Sequence, residues 1–309
     1  MNDIYKSSDI FHFITYADDT TLYVTLSYNP SLRNILPSQD VLNRELHSLC
    51  KWLNSNKLSL NATKTKCMLF QKTNKLSLDI NLDILDTPIE FVENFNFLGI
   101  IIDKKLTWKP HVDNIAKKIS KTCGILSRLK FYLPESTLKT IYNSLIGSYL
   151  NYGILCWGYQ KRQLFKLQKK AIRYVTKSKY NAHSDPLFKK LNILKIDDML
   201  KLNIYKFYFR LVHRSLPQYF LDSFSIVRQQ DLHDHNTRNQ SILGPRIFHK
   251  FAEHCLRYHI PQLLNENITC ILDKVFTHSQ KGFSLYVKLY LINKYEVNCN
   301  IEQCYICTL

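Results

Sequence analysis

The chain has 309 residues, 45% of them hydrophobic, and it contains 19 tyrosines and 17 phenylalanines. This length allows two or three domains, and the composition excludes an intrinsically disordered chain, because disorder requires few apolar and aromatic residues. Lys and Arg outnumber Asp and Glu by 42 to 25, and the formal net charge of +17 predicts a polyanionic partner, with nucleic acid ahead of an anionic membrane.

The first predicted element is a β-hairpin over residues 10–26, IFHFITYADDTTLYVTL. Apolar, aromatic and β-branched residues flank Asp18 and Asp19, which lie at its turn. The residues alone leave two interpretations of this acidic pair open. The carboxylates could bond to nearby backbone amides, as turn aspartates do, or they could bind divalent metal ions on a rigid turn.

A helix is predicted over residues 38–54, because Ser38 can cap its start and leucines recur at helical spacing. Those leucines are Leu42, Leu46, Leu49 and Leu53. Short strands are predicted at LSLN and KCMLF, on either side of a polar turn, and further strands at IEFV (89–92) and NFLGIII (96–102). In the last of these, Gly99 permits a close backbone approach.

From Pro110 onward the pattern is helical. One amphipathic helix is predicted up to Leu129, a second begins at Pro134, and a third runs from Lys161 to about Lys177. Residues 140–160 carry no charge over about the length of a membrane span, but polar residues and three glycines interrupt them. A buried helix followed by an aromatic turn is therefore predicted there. The chain to about 215 is predicted to be helical with a break at Asp185-Pro186, and residues 225–245 a loop.

Most of the charge surplus is local. Between Lys161 and Arg214 the chain has 15 basic and three acidic residues, a net charge of +12. In the helix predicted there, one stripe carries only basic side chains and the opposite side is apolar. The basic stripe consists of Lys166, Lys170, Arg173 and Lys177. Like charges on one stripe repel, and a bound phosphate backbone turns that repulsion into attraction. A solvated face, the alternative, usually mixes signs, so we predict contact with nucleic acid.

Nine irregularly spaced cysteines, and a start without a charged-then-apolar signal peptide, predict a reducing compartment and mostly free thiols. No transmembrane segment is predicted. Near the end of the sequence, Cys299, Cys304 and Cys307 lie close together. They could bind structural zinc only with a fourth ligand from elsewhere, such as a distant histidine.

In several ordered motifs the sequence resembles the reverse transcriptases of non-LTR, or LINE-type, retrotransposons. YADD (16–19) resembles their metal-binding palm motif, WLNSNKLSLNATKTKCMLF a second palm segment, and FNFLGIIIDKKLTWKPH the junction leading into the thumb. LNYGILCWG, LFKLQKKAIRYV and HNTRN follow in the order found in the thumb and C-terminal region. The resemblance covers residues 10–250 and fades in the tail.

This resemblance implies an α+β fold, with a partial reverse-transcriptase palm (β-hairpin, helix and short strands) followed by a mainly α-helical thumb and C-terminal region. The implied boundaries are a partial palm with the YADD hairpin at 1–109, thumb-like helices at 110–160, a basic helical region at 161–224, and a loop and tail at 225–309.

For the chemistry, the resemblance implies that Asp18 and Asp19 bind Mg²⁺ or Mn²⁺ and are catalytic. It implies that Lys64 protonates the pyrophosphate leaving group, a role that suits an ammonium. Tyr16 would present its ring to the end of the growing strand. Without the resemblance, Lys64 reads as a solvated loop lysine.

For the primer, the resemblance implies a turn formed by Phe97, Leu98 and Gly99 that grips it. Strand core with a glycine bulge is the interpretation from the residues alone, and it is compatible with that role. Trp108 and His111 fit the family pattern and are expected to organise the junction between palm and thumb, without a chemical role.

In these reverse transcriptases the first catalytic aspartate and the fingers lie far upstream of the YADD turn, and seventeen residues precede Asp18. We therefore expect a truncated enzyme whose two-ion site is incomplete and which has little or no polymerase activity by itself. The expected partners are RNA, an RNA–DNA hybrid or a DNA primer, with a dNTP bound only if upstream sequence completes the site, and no membrane. By resemblance the protein is expected inside the cell, nuclear and cytoplasmic. A non-catalytic nucleic-acid-binding module and a non-functional transposon remnant are the alternatives.

Overall fold

The described strands lie in the first third of the chain, and helices dominate the rest. The computed structural model describes residues 3–29, 34–70, 80–224, 256–266 and 268–295. The chain divides into two units, Met1–Leu106 and Thr107–Leu309, and every described strand lies in the first. This mixture of helices and small strands confirms the predicted α+β class, whereas the assignment to palm, thumb and tail subdomains stays a prediction.

Strands in the first unit pair locally. β1 (His12–Tyr16) and β2 (Asp19–Tyr23) form an antiparallel hairpin, as predicted for residues 10–26. The other strands are β3 (Ser27–Asn29), β4 (Asn34–Leu36), β5 (Lys66–Cys67), β6 (Asp83–Ile84), β7 (Thr87–Pro88), β8 (Glu90–Phe91), β9 (Asn94–Phe97) and β10 (Ile100–Asp103). The pairs β3–β4, β6–β7 and β9–β10 are antiparallel, and β5 pairs with β8 in parallel.

Helix α1 (Gln39–Ser55) supplies the apolar core of the first unit. All four of the leucines that predicted it are buried, and the prediction of a helix over 38–54 is confirmed. Leu46 packs with Cys50, Ile84 and Ile89, and a second cluster joins two further leucines of the same helix face to the start of the chain. That second cluster consists of Ile4, Leu49 and Leu53. Ser38 occupies the N-cap position, although its side chain forms no capping hydrogen bond.

Two predicted strands take another form. LSLN is not a strand, and a single 3₁₀ turn, Ala62–Lys64, follows it. The run 96–102 is not one strand but parts of β9 and β10, joined by a two-residue turn of Leu98 and Gly99 with φ of 48° and 81°. Positive φ at both turn positions is the geometry that matches the twist of a hairpin. The apolar residues on both sides favour one strand because Leu98 carries no turn signal, whereas the family resemblance implied a turn here.

Among its described residues, the second unit consists of helices and the loops that connect them. Its helices are α2 (Lys109–Leu129), α3 (Glu135–Tyr142), α4 (Ser148–Asn151), α5 (Ile154–Trp157), α6 (Arg162–Val175), α7 (Ser184–Leu191), α8 (Ile196–Val212), α9 (Gln218–Ser223), α10 (Leu256–Glu266), α11 (Ile268–Thr277) and α12 (Gln280–Asn293). One buried apolar cluster runs from Val112 in α2 to Tyr295 after α12. The predicted break at Asp185-Pro186 is instead the first turn of α7, where proline is tolerated.

Residues 140–160 are mostly helical and bury one face, while Leu145 and Tyr152 are exposed, so the prediction of a buried helix holds for that face alone. A π-helical turn, Asn143–Gly147, joins α3 to α4, and Leu150 and Trp157 are buried beyond it. The Trp157 indole N–H donates to the Tyr152 carbonyl oxygen at 2.9 Å. Across the described ranges, no helix combines the length and apolar character needed to cross a membrane.

A buried glutamine connects three parts of this unit. The Gln168 side chain in α6 donates from Nε2 to the Tyr142 hydroxyl and to the Leu194 carbonyl oxygen, both at 2.9 Å. Its Oε1 accepts from the Ile196 N–H, also at 2.9 Å. Because every polar atom of the buried amide has a partner, this network fixes the position of α6 relative to α3 and the start of α8.

Tyr295, just after α12, anchors the last described helix. Its hydroxyl donates to the Asp198 carboxylate at 2.6 Å and accepts from the Lys195 N–H at 3.0 Å. The Lys195 ammonium lies 4.2 Å from the Tyr295 ring centroid and 2.5 Å from the Asp185 carboxylate. Burial raises the pKa of Asp198, and the hydrogen bond from Tyr295 opposes that shift. The last described helices are therefore part of the core of the second unit.

Candidate functional site

The acidic pair lies on a tight and regular hairpin. Tyr16 pairs with Asp19, so the turn between β1 and β2 consists of Ala17 and Asp18 alone. Ala17 has a φ of 52°, a conformation that residues other than glycine, asparagine and aspartate rarely adopt. The strand ladder holds the backbone on both sides of Asp18, and the Tyr16 side chain is 64% exposed beside the turn.

The carboxylates of Asp18 and Asp19 are exposed to solvent. Within the described ranges, neither carboxylate accepts a hydrogen bond from a backbone amide or pairs with a cationic side chain. A turn aspartate of the ordinary kind bonds to nearby amides. The observed geometry therefore favours the interpretation in which both carboxylates are available to a cation from solution.

Lys64 lies at the end of the 3₁₀ turn Ala62–Lys64. The Asn61 side-chain oxygen accepts from the Lys64 N–H at 3.1 Å and from the Thr63 hydroxyl at 2.8 Å. This Asn cap fixes the backbone while the Lys64 side chain stays exposed. A lysine held in this way can reach an anionic ligand without first breaking an ion pair, since no described acidic side chain holds it.

The predicted primer turn is the β9–β10 hairpin. Phe97 and Leu98 are half-buried, and Gly99 is exposed at the turn. Because Gly99 has no Cβ and a φ of 81°, another molecule can approach its backbone closely. The structure thus places Asp18, Lys64 and this turn in the first unit.

The predicted basic stripe lies in the second unit, and its four members differ. Lys166 and Lys170 are exposed on α6, one turn apart. Arg173 is half-buried, its Nε donates to the Ala182 carbonyl oxygen at 2.8 Å, and burial lowers the pKa of its guanidinium. The helix ends at Val175, so Lys177 lies beyond it, at a φ of 55°. Lys166 and Lys170 are therefore the stripe members that α6 presents to solvent, and Arg173 has a structural contact.

Sequence reasoning missed an aromatic ring next to these lysines. The Tyr174 ring centroid lies 5.9 Å from the Lys170 ammonium and 5.4 Å from the Lys130 ammonium at the end of α2. These distances bring α2 and α6 together at one basic and aromatic surface. The signal that could have found it is the run Lys130-Phe131-Tyr132, two aromatic residues at a helix end.

Trp108 and His111 lie within the second unit. Trp108 precedes α2 with a φ of 61°, and His111 is buried with its ring 5.5 Å from the Trp157 ring in an edge-to-face arrangement. Burial lowers the pKa of His111. These contacts organise the start of α2.

Among the described residues, no group of three or more His, Cys, Asp or Glu side chains is placed to hold a metal ion. The candidate zinc ligands Cys299, Cys304 and Cys307 lie outside the described residues, as does the HNTRN motif. Asp18 and Asp19 thus form an acidic pair rather than a full set of ligands.

No protein-family model and no solved structure matches the chain. Over 209 residues the chain is 26% identical to a probable RNA-directed DNA polymerase from transposon BS of Drosophila melanogaster. The aligned segment covers 64% of this chain and 22% of the relative. It is 26% identical over 206 residues to the RNA-directed DNA polymerase from mobile element jockey of the same species, covering 64% of this chain and 21% of the relative. A probable RNA-directed DNA polymerase from transposon X-element of that species is 21% identical over 205 residues, again 64% of this chain and 22% of the relative.

The chain spans about a fifth of the length of these curated relatives. The similarity confirms the resemblance to reverse transcriptases of non-LTR retrotransposons that the motifs predicted.

Proposed function

We propose that this chain, a relative of transposon-encoded RNA-directed DNA polymerases, carries the metal-binding hairpin and part of the nucleic-acid surface of a reverse transcriptase. The observation that carries the proposal is the turn of β1 and β2, which presents Asp18 and Asp19 side by side, exposed and without a cationic partner among the described residues. Two adjacent carboxylates on a backbone held by a strand ladder suit a divalent cation better than they suit a plain turn.

The donor set fits Mg²⁺ or Mn²⁺, because hard cations prefer carboxylate oxygens. Asp18 and Asp19 would hold these ions, which when bound neutralise the negative charge that develops on the attacking and leaving oxygens of nucleotidyl transfer. Two carboxylates supply only part of such a site, and a further aspartate normally comes from an adjacent strand. The hairpin by itself therefore holds the ions weakly.

The remaining residues of the first unit act on the nucleic acid and the leaving group in this proposal. The exposed Tyr16 ring contacts the primer end, and the Phe97-Leu98-Gly99 turn holds the primer backbone, with Gly99 giving room for close approach. The Lys64 ammonium neutralises the departing pyrophosphate and donates a proton to it. RNA, an RNA–DNA hybrid or a DNA primer is the ligand class.

Paramagnetic broadening by Mn²⁺ tests the metal site directly on the full chain. In NMR spectra of the isotopically labelled protein, Mn²⁺ should broaden the amide signals flanking Asp18, and Asp18→Asn should abolish this broadening. Asp86→Asn is the matched control, because Asp86 is also an exposed aspartate at a two-residue hairpin turn, between β6 and β7. Broadening of equal strength at both hairpins would show that any exposed aspartate suffices and would refute the site.

A primer-extension assay tests whether the metal site of this chain is complete. We expect negligible extension of an RNA-templated primer by the purified chain with Mg²⁺ or Mn²⁺, because two carboxylates place the ions poorly. Extension that is measurable and disappears in Asp18→Ala would contradict the incompleteness of the site while supporting the polymerase assignment.

A second candidate function, nucleic-acid binding without catalysis, is favoured by the exposed Lys166 and Lys170 on α6. Changing both to Glu should weaken binding of an RNA–DNA hybrid and reduce its salt dependence by about one unit of slope per lost phosphate contact. The double variant Lys281→Glu with Lys294→Glu, an equal charge change at two exposed lysines at the start and just after the end of α12, is the control. Affinity that is unchanged by the α6 substitutions, or insensitive to salt, would remove this candidate.

A further inference from the structure

Two aromatic side chains directly after α2 face solvent. Phe131 is 75% exposed and Tyr132 is 83% exposed. Aromatic side chains of this size usually bury most of their surface, because removing it from water stabilises the fold. Two adjacent exposed rings are therefore a feature that the stability of the fold does not explain.

The backbone that carries these rings is fixed by hydrogen bonds. The Lys130 N–H donates to the Leu126 carbonyl oxygen at 3.0 Å, and the N–H groups of Tyr132 and Leu133 both donate to the Leu129 carbonyl oxygen at 3.0 Å. Leu133 also packs against the core of the second unit. The rings thus project from a hydrogen-bonded turn, which reduces the entropy lost when a ligand binds.

Lysine ammonium groups and aromatic rings alternate across this surface. The Lys130 ammonium lies 4.9 Å from the Phe131 ring centroid and 5.4 Å from that of Tyr174. The Lys170 ammonium lies 5.9 Å from the Tyr174 centroid. We call these five residues, Lys130, Phe131, Tyr132, Lys170 and Tyr174, the α2–α6 surface.

The positive charge around the α2–α6 surface favours binding of an anion. Residues 114–184 include 14 lysines and arginines and one acidic residue, Glu135. That carboxylate is already paired with the Lys190 ammonium at 2.7 Å. Lysines that are not neutralised by the protein attract a polyanion, while the rings between them offer flat apolar faces.

From this arrangement we infer that the α2–α6 surface binds unpaired nucleotides of a single-stranded nucleic acid, with bases stacked on Phe131 and Tyr132 and phosphates on Lys130 and Lys170. Bases of a duplex are stacked on each other and expose no face to a protein ring, whereas unpaired bases stack on aromatic side chains. The inference deepens the nucleic-acid contact proposed for α6 and rests on it for Lys170, but the rings can be tested separately.

Fluorescence anisotropy of the full chain with a labelled oligothymidylate, and with a blunt-ended duplex of the same length, separates stacking from charge. The double variant Phe131→Ala with Tyr132→Ala should weaken binding of the single strand about tenfold or more and leave duplex binding within about twofold. The double variant Phe131→Tyr with Tyr132→Phe keeps both rings and should retain binding of the single strand.

A matched control removes one tyrosine and one phenylalanine elsewhere in the same unit. Tyr219 and Phe276 are 71% and 63% exposed, and Tyr219→Ala with Phe276→Ala should leave both affinities unchanged. Equal losses for single strand and duplex in the Phe131 and Tyr132 variant, or no loss, would overturn the stacking site. The stacking site would also be overturned if the Phe131 and Tyr132 variant lost binding only to phosphatidylcholine vesicles containing phosphatidylserine. That result would assign the rings to a membrane surface.

The outcomes for the α6 lysines distinguish the two proposals. Loss of both affinities in the Lys166→Glu and Lys170→Glu variant, with none in the ring variant, would keep the α6 contact and refute stacking. Loss of single-strand affinity alone in the ring variant, with no loss in the lysine variant, would keep stacking and refute the α6 contact. The Mn²⁺ experiment at Asp18 is independent of both.

Discussion

Gln168 shows how one buried side chain can escape sequence reasoning. It lies in a helix rich in lysine, where a polar residue predicts an exposed position, yet its amide is fully buried and satisfied by Tyr142, Leu194 and Ile196. Those partners are about 26 to 28 residues away in both directions along the chain. Helical spacing describes the face of one helix and carries no information about such distant partners.

Gln168→Leu should destabilise the second unit. The substitution removes three hydrogen bonds and leaves a buried hydroxyl, a carbonyl oxygen and an N–H without partners, which costs about 3 kcal/mol of unfolding free energy. Urea denaturation measures the loss. Gln163→Leu changes an exposed residue of the same helix and should cost less than about 0.5 kcal/mol. Similar effects of the two substitutions would show that the network contributes nothing.

His111 should make stability depend on pH. Burial lowers its pKa in the folded chain, so the unfolded chain binds the proton first as pH falls below the ordinary value of about 6.5. The free energy of unfolding should therefore fall as pH drops below that value. His111→Phe should flatten this dependence in urea titrations at a series of pH values, and His47→Gln, at an exposed position, should not. An unchanged slope in His111→Phe would assign the dependence to other groups.

At the scale of elements, periodic patterns predicted which helix faces are buried. The leucines of α1 and the apolar side of α6 are buried because a period of 3.6 puts them on one face. The pattern failed where an element ends without a signal: the turn at Leu98, and the end of α6 before Lys177. Lys177 adopts a left-handed conformation that ordinarily selects glycine or asparagine, so its sequence gave no reason to stop the helix there.

The attachment of α12 to α8 can be tested at Tyr295. Tyr295→Phe removes the hydroxyl that bonds to Asp198 and to the Lys195 N–H, and it should cost about 1 to 3 kcal/mol of unfolding free energy. Tyr219→Phe, which removes an exposed hydroxyl, should have no measurable effect. In a double-mutant cycle with Asp198→Asn the two losses should be less than additive, and strict additivity would argue against a direct interaction.

At the scale of the whole molecule, each unit has its own apolar clusters. Those of the first unit surround α1, and that of the second extends from α2 to α12. The helical pattern predicted from Pro110 to about residue 215 is confirmed, whereas no organisation was predicted for the last helices, because their patterns are weak and their partners are distant.

The fragment 107–309 should therefore fold alone. We expect it to unfold cooperatively in urea, followed by the fluorescence of buried Trp157. The shorter fragment 107–224 lacks Leu264, Phe283 and Leu291, which belong to the same core, and it should lose cooperativity. Cooperative unfolding of the shorter fragment, or none in the longer one, would contradict a single core.

The residues of the candidate site were identified from the sequence, but their exposure and their contacts were not. The hairpin, the Lys64 turn and the basic residues of α6 were found from motifs and spacing, and their roles in catalysis and primer binding stay predictions. The exposure of the carboxylates and the hydrogen bond from Arg173 to the Ala182 carbonyl oxygen depend on tertiary structure, which sequence patterns do not describe. The same holds for the aromatic rings beside Lys130 and Lys170.

The backbone of Ala17 has a consequence for which sequences this hairpin can accept. Its side chain is exposed, so a survey of mutational tolerance based on burial would rank the position as free to vary. Its φ of 52° admits glycine or asparagine but penalises valine, isoleucine and threonine, whose branched side chains crowd a left-handed backbone. Selection at position 17 would thus act on chain geometry and not on chemistry, and a bulky branched residue there would displace both neighbouring carboxylates without altering either of them.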